Sequence, residues 1–138
     1  MSTPTAAFQA AVIAALRADV ALTALVGANG VAASLRESTV NPRVIYMLER
    51  FDLIETSGAG RGYRVAPVQI SVVTDGERGR VLAKVIAEAV IAALHQQDLP
   101  MSAGYCEYMH FRSMNTISTG PTGTHIAIDF EAQIYISA

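Results

Sequence analysis

Residues 124–137 read Thr-His-Ile-Ala-Ile-Asp-Phe-Glu-Ala-Gln-Ile-Tyr-Ile-Ser. Successive side chains of a β-strand point to opposite faces, so this alternation predicts a strand with one apolar and one polar face. The inward set comprises Ile126, Ile128, Phe130, Ala132, Ile134 and Ile136. The outward set comprises His125, Asp129, Glu131, Gln133 and Tyr135.

This final strand is unusually long. At about 3.4 Å per residue it would span roughly 44 Å, more than the width of a domain of this size. Either a bulge bends the strand, or one end projects and pairs with another chain. We favour projection, because a long strand that ended in water would invite uncontrolled edge pairing.

Two segments predict helices. Thr3-Pro4 is typical of an N-cap and first helical position, Asp19 restarts or continues the helix, and Gly27 is placed to stop it. The second helix opens after Asp75-Gly76, with Asp75 as the predicted cap, and runs to about Gln97. Its apolar stripe comprises Val81, Leu82, Val85, Ile86, Ala89, Val90, Ala93 and Leu94.

The remaining elements are strands over residues 43–48, 52–56, 63–74 and 105–111, with turn residues at 118–123. The order is helix, two or three strands, a long helix and two long strands. It predicts an α+β fold in one domain, residues 1–138, with a mostly antiparallel sheet. The N-terminal helix and the long central helix are expected to pack on one face of this sheet.

Composition narrows the class of protein. The chain is 51% apolar and 16% charged, which argues against intrinsic disorder. The single cysteine, Cys106, excludes an internal disulfide, and neither a leader nor a membrane span is expected, so the product should appear in a cytoplasm. Residues 85–138 hold five carboxylates and one arginine, a balance of −4 that would repel DNA.

Candidate catalytic and metal-binding residues are few. By residue type alone, a nucleophilic site could be built from a thiol, a base and an orienting carboxylate: Cys106, His110 and Asp129. Four residues apart on a strand, however, Cys106 and His110 would lie about 13 Å apart, so we expect a packed cysteine and a surface histidine. His110 and His125 could pair across two strands and bind a metal ion together, but the sequence offers no obvious third ligand. We therefore expect neither a metal nor a cofactor.

The glycine-rich stretch Gly58-Ala59-Gly60-Arg61-Gly62 has neither the lysine nor the following helix of a phosphate-binding loop. It is more typical of a hairpin tip that becomes ordered on assembly. We expect contacts to other copies of the chain or to another partner protein from Gly58, Gly60, Arg61, Gly62, Tyr63 and Arg64.

Two segments carry a family resemblance. Residues 19–27 read Asp-Val-Ala-Leu-Thr-Ala-Leu-Val-Gly. Residues 68–74 read Val-Gln-Ile-Ser-Val-Val-Thr, and a turn with Gly79 and a helix with Ala83, Ile86, Val90, Ala93 and Leu94 follow them. The combination, spread over about residues 8–97, resembles the tail terminator (tail completion, tail-to-head joining) proteins of long-tailed bacteriophages, prophages and gene transfer agents.

The resemblance implies an α+β subunit of a hexameric ring at the head-proximal end of the tail tube. There the ring stops tube polymerisation and joins the tail to the head, without enzymatic activity or a cofactor. The implied partners are further copies of the chain, the major tail tube protein and the head–tail connector protein, with DNA passing through the lumen and no membrane. The implied location is the virion tail, or the bacterial cytoplasm during assembly.

Two alternatives stay open at this point. One is a connector or neck ring on the portal side of the same particle. The other, from a different class, is a small ligand-binding or thiol-dependent enzyme domain that uses Cys106 and His110.

Overall fold

The computed structural model describes residues 4–27, 29–33, 42–49, 52–53, 62–75, 79–101, 105–120 and 123–136. The helices are α1 (Pro4–Ala18), α2 (Val20–Val26) and α3 (Gly79–Leu94). The strands are β1 (Val31–Ala32), β2 (Arg43–Glu49), β3 (Asp52–Leu53), β4 (Gly62–Asp75), β5 (Leu99–Pro100), β6 (Tyr105–Gly120) and β7 (Gly123–Ile136). The predicted α+β class is confirmed.

Local signals set the ends of the N-terminal helices. α1 begins at Pro4, and Asp19 caps α2, where its Oδ1 accepts a hydrogen bond of 2.8 Å from the Leu22 N–H. Gly27 ends α2 with a φ of +81°, a conformation that glycine adopts without the steric cost of a Cβ. In the described residues, no single helix is long and apolar enough to cross a membrane. Residues 6–18 and 20–26 reach that length and composition only as a pair bent by 81°.

The seven described strands form one sheet in the order β1-β2-β4-β7-β6-β5, with β3 also paired to β4. The named strands pair antiparallel except for β1 and β2, which are parallel. β7 lies inside the sheet and pairs with β4 from Gly123 to Ile136 and with β6 from Gly123 to Tyr135. The prediction that an end of this strand projects is therefore wrong.

The reason is the length of β6. The sequence predicted a strand ending at Phe111, but β6 continues to Gly120 and so flanks nearly the whole of β7. The register between them shifts at Cys106/Tyr108, Phe111/Ser113 and Thr116/Ser118. Such irregularities bend and twist a strand locally, which lets two long strands stay paired within a small protein.

The core lies between the helices and one face of the sheet. The predicted inward residues of β7, from Ile126 to Ile134, are buried there beside Val68, Ile70 and Val72 of β4. The predicted inward face of β7 is confirmed from Ile126 to Ile134. We call this the helix-covered face, and the opposite side of the sheet the helix-free face.

The predicted stripe of α3 is confirmed at Ile86, Val90 and Leu94, which are fully buried, and is wrong at two positions. Val81 and Val85 were expected in the buried stripe, yet they are 72% and 48% exposed, whereas Ala83 and Ala87 are buried. Small alanine side chains let a helix approach a sheet closely, and Ile86 then reaches the core. The predicted cap is also wrong. Asp75 is the last residue of β4, and α3 begins only at Gly79.

Candidate functional site

The structure does not assemble the candidate catalytic set. Cys106 pairs with Ile134 and is buried in the core on the helix-covered face. Asp129 lies on the helix-free face, where it accepts hydrogen bonds from Gln69 Nε2 at 3.3 Å and Ser113 Oγ at 3.1 Å. A thiol and a carboxylate on opposite faces of a sheet cannot act on one substrate atom.

Two of the three histidines lie together, and the third lies elsewhere on the sheet. The rings of His95 and His110 lie 5.5 Å apart, and His95 Nδ1 accepts a hydrogen bond of 3.1 Å from the Phe111 N–H. His125 instead contacts Ser71, with 2.9 Å between Nε2 and Oγ, so the cross-strand pair of His110 and His125 does not form. Among the residues that the structure describes, no group of three or more His, Cys, Asp or Glu side chains is placed to hold a metal ion.

Polar contacts join three strands across the helix-free face. Asp129 of β7 binds Gln69 of β4 on one side and Ser113 of β6 on the other. Next to them, Arg112 Nη2 donates to Glu131 Oε1 at 3.1 Å, in a pair exposed to solvent. These bonds fix the relative positions of β4, β7 and β6 and make this part of the helix-free face polar. Elsewhere on the same face Ile45, Ser71 and Ala127 are buried.

Burial lowers the pKa of His125 below its ordinary value of 6.5. In the unfolded chain this imidazole takes up a proton near pH 6.5, whereas in the folded protein it does so only at a lower pH. The free energy of unfolding should therefore fall as the pH drops below about 6.5, and should be independent of this group above it. Urea titrations at about pH 8 and about pH 5 test this, and His125→Gln should lessen the loss at the lower pH. An identical loss in the variant would contradict the prediction.

The outer side of β6 is covered only as far as Phe111 by the residues that the structure describes. β5 pairs only with Tyr105 and Cys106, and the segment after α3 reaches Met109 and Phe111 through His95 and Gln97. Beyond Phe111, within the described residues, no strand pairs with this side of β6. Residues 112–117 are all exposed, with Met114 at 36% and Ile117 at 58%.

Sequence reasoning missed this open segment. Its residues, Arg-Ser-Met-Asn-Thr-Ile-Ser-Thr, alternate poorly and end at a predicted turn, so periodicity gave no strand. Two features of the sequence could have indicated the strand. No proline or glycine lies between Phe111 and Gly120, and three residues of this stretch are β-branched: Thr116, Ile117 and Thr119.

The glycine-rich stretch falls partly outside the described residues, which include neither Gly58 nor Gly60 nor Arg61. β3, the last described strand before the stretch, pairs antiparallel with Val65 and Arg64 of β4. Gly62, Tyr63 and Arg64 are the first residues of β4, and their backbones pair with Ile136, Tyr135 and Ile134 of β7. The contacts assigned to these six residues stay a prediction.

Comparisons with known proteins identify the family. No curated protein matches this chain. A solved chain described as part of the virion of a native gene transfer agent particle is 29% identical and aligns with a TM-score of 0.82, over 98% of this chain and 99% of that one. A second solved structure is 16% identical and aligns with a TM-score of 0.62, over 94% of this chain and 97% of that one. At this identity the likeness supports the fold and not a function. The family model for tail completion protein gp17 matches residues 10–135, which is nearly the whole chain. The chain therefore belongs to the tail completion protein gp17 family.

Proposed function

We propose that this tail completion protein forms a homohexameric ring that caps the tail tube at its head-proximal end, stops tube polymerisation and joins the tail to the head. The observation that carries the proposal is the family match over residues 10–135. The similarity to a chain of a gene transfer agent virion, which extends over both chains almost entirely, supports a place in the tail of a virion or a tail-like particle.

The ring acts through contacts between subunits, without catalysis. Two features support this mechanism: Cys106 and Asp129 lie on opposite faces of the sheet, and a long strand edge is exposed. Its partners are other copies of the chain, the major tail tube protein and the head–tail connector protein. DNA passes through the lumen without specific binding, because the acidic balance of residues 85–138 repels phosphates.

The test is the mass of the purified protein in solution combined with negative-stain imaging, alone and with tube protein. We expect annular particles with a central hole, and tubes that stop growing once the ring has bound one end. A chain that stays monomeric at every concentration and leaves tube growth unchanged would refute the proposal.

Arg61→Glu should weaken ring or tail assembly and leave the thermal midpoint of the monomer nearly unchanged. We expect Arg61 to bind carboxylates of a neighbouring subunit, and the glutamate would repel those carboxylates instead. The control is Arg80→Glu, which makes the same charge change at an exposed position on α3. Unaltered assembly of Arg61→Glu, measured by sedimentation, would remove the glycine-rich stretch from the interface.

A further inference from the structure

We define the open edge of β6 as residues 112–119. Among the strands that the structure describes, only β7 pairs with this segment, so the backbone N–H and C=O groups that point away from β7 have no strand partner there. Side chains 112–117 are exposed on both faces of the sheet, so a partner can approach this segment without displacing the helices.

The residue types of the open edge do not protect it. Proteins that stay monomeric commonly place lysine or proline on such an edge. Here the segment has neither, and the chain's single lysine, Lys84, lies on α3. The one charged side chain of the segment, Arg112, is bound to Glu131 of its own sheet. The edge therefore carries no unpaired charge that would repel a partner, and the exposed side chains of Met114 and Ile117 can make apolar contacts with it.

We propose that the open edge of β6 is the surface through which one copy of the chain pairs, strand to strand, with a second copy. This inference rests on the proposed function. The sheet begins with β1 and β2 at one side and ends with β6 and β5 at the other, so its two edges are different surfaces. Contacts between unlike surfaces repeat head to tail, and they close into a ring when the rotation allows it. Backbone pairing also suits a second copy, because it needs no complementary charge from the partner.

The exposed valines of α3 are a weaker candidate for the same contact. Val81 and Val85 lie among the exposed charged residues Arg80, Lys84 and Glu88. Most backbone groups of a helix are already bonded within it, so this surface gains nothing from strand pairing. Val81 is for that reason the natural control.

The experiment compares the Met114→Lys/Ile117→Lys double variant with the Val81→Lys control. All three side chains are exposed, so both variants should fold with the thermal midpoint of the wild-type protein. Lysine on a strand edge opposes pairing with another strand. We expect sedimentation to show rings for the wild type and Val81→Lys, and a ring dissociation constant raised at least tenfold for the double variant.

Hydrogen exchange supplies a second measurement that needs no substitution. On assembly of the wild-type protein, amides within residues 112–119 should exchange at least tenfold more slowly than in the dilute, dissociated protein. If Val81→Lys also dissociates the ring, the substitutions no longer distinguish the two surfaces, and hydrogen exchange of the wild-type protein does so instead. Protection of residues 112–119 on assembly then supports the inference, and the absence of protection overturns it.

The remaining outcomes separate the two proposals. Rings formed by the double variant, with unprotected amides in residues 112–119, overturn the inference and leave the proposed function standing. A wild-type protein that forms no ring, alone or with tube protein, overturns both.

Discussion

Ile86→Asp is expected to leave the chain unfolded under conditions in which Val85→Asp still folds. Ile86 is fully buried between α3 and the sheet, whereas its neighbour Val85 is 48% exposed. Losing the apolar side chain costs about 1.5–3 kcal/mol. Burying an unpaired polar group adds several more, about 2–7 kcal/mol. The sum approaches the whole free energy of unfolding of a typical domain, about 5–15 kcal/mol.

Far-UV circular dichroism and a urea titration of both variants measure this difference. Because both variants add the same carboxylate to adjacent positions of one helix, charge and helix propensity are nearly matched. A greater loss in Val85→Asp than in Ile86→Asp would contradict the burial of Ile86 and the exposure of Val85.

Phe130→Ala should lower the free energy of unfolding by about 3–5 kcal/mol, the usual cost of removing a buried aromatic ring. Phe130 lies on β7, in the interior of the sheet, and is fully buried. Its ring meets that of Phe111 edge to face, with 6.1 Å between centroids and 68° between planes. Such pairs add about 0.5–1.5 kcal/mol beyond the buried area.

The matched control is Phe111→Ala, which removes the same ring contact from a partly buried position on β6. We expect a clearly smaller loss, since less of the Phe111 ring leaves water on folding. Equal losses in urea titrations of the two variants would show that the position of β7 in the sheet does not determine the contribution of Phe130.

The candidate interface was predictable only in part. The glycine-rich stretch stands out because three glycines fall within five positions, whereas nothing in residues 112–119 marks an exposed edge. Whether a strand is central or at an edge depends on which other strands reach it. β5 is only two residues long, and the segment after α3 reaches β6 only as far as Phe111, so the described residues leave the rest of this edge open. No local pattern in the sequence predicts this.

What the sequence determined by itself are the features that depend on near neighbours. The alternation of residues 124–135 assigns their faces, Asp19 caps α2, and Gly27 ends it, because side-chain direction, capping and φ depend on a few adjacent residues. The tertiary structure decided that Ala83 and Ala87 of α3 are buried instead of Val81 and Val85. It also decided the length of β6 and the interior place of β7. α3 carries valine and alanine on more than one side, so the sheet surface that receives it selects the buried set. β6 becomes a long strand because β7 offers a partner along its whole length, a contact between residues far apart in the chain.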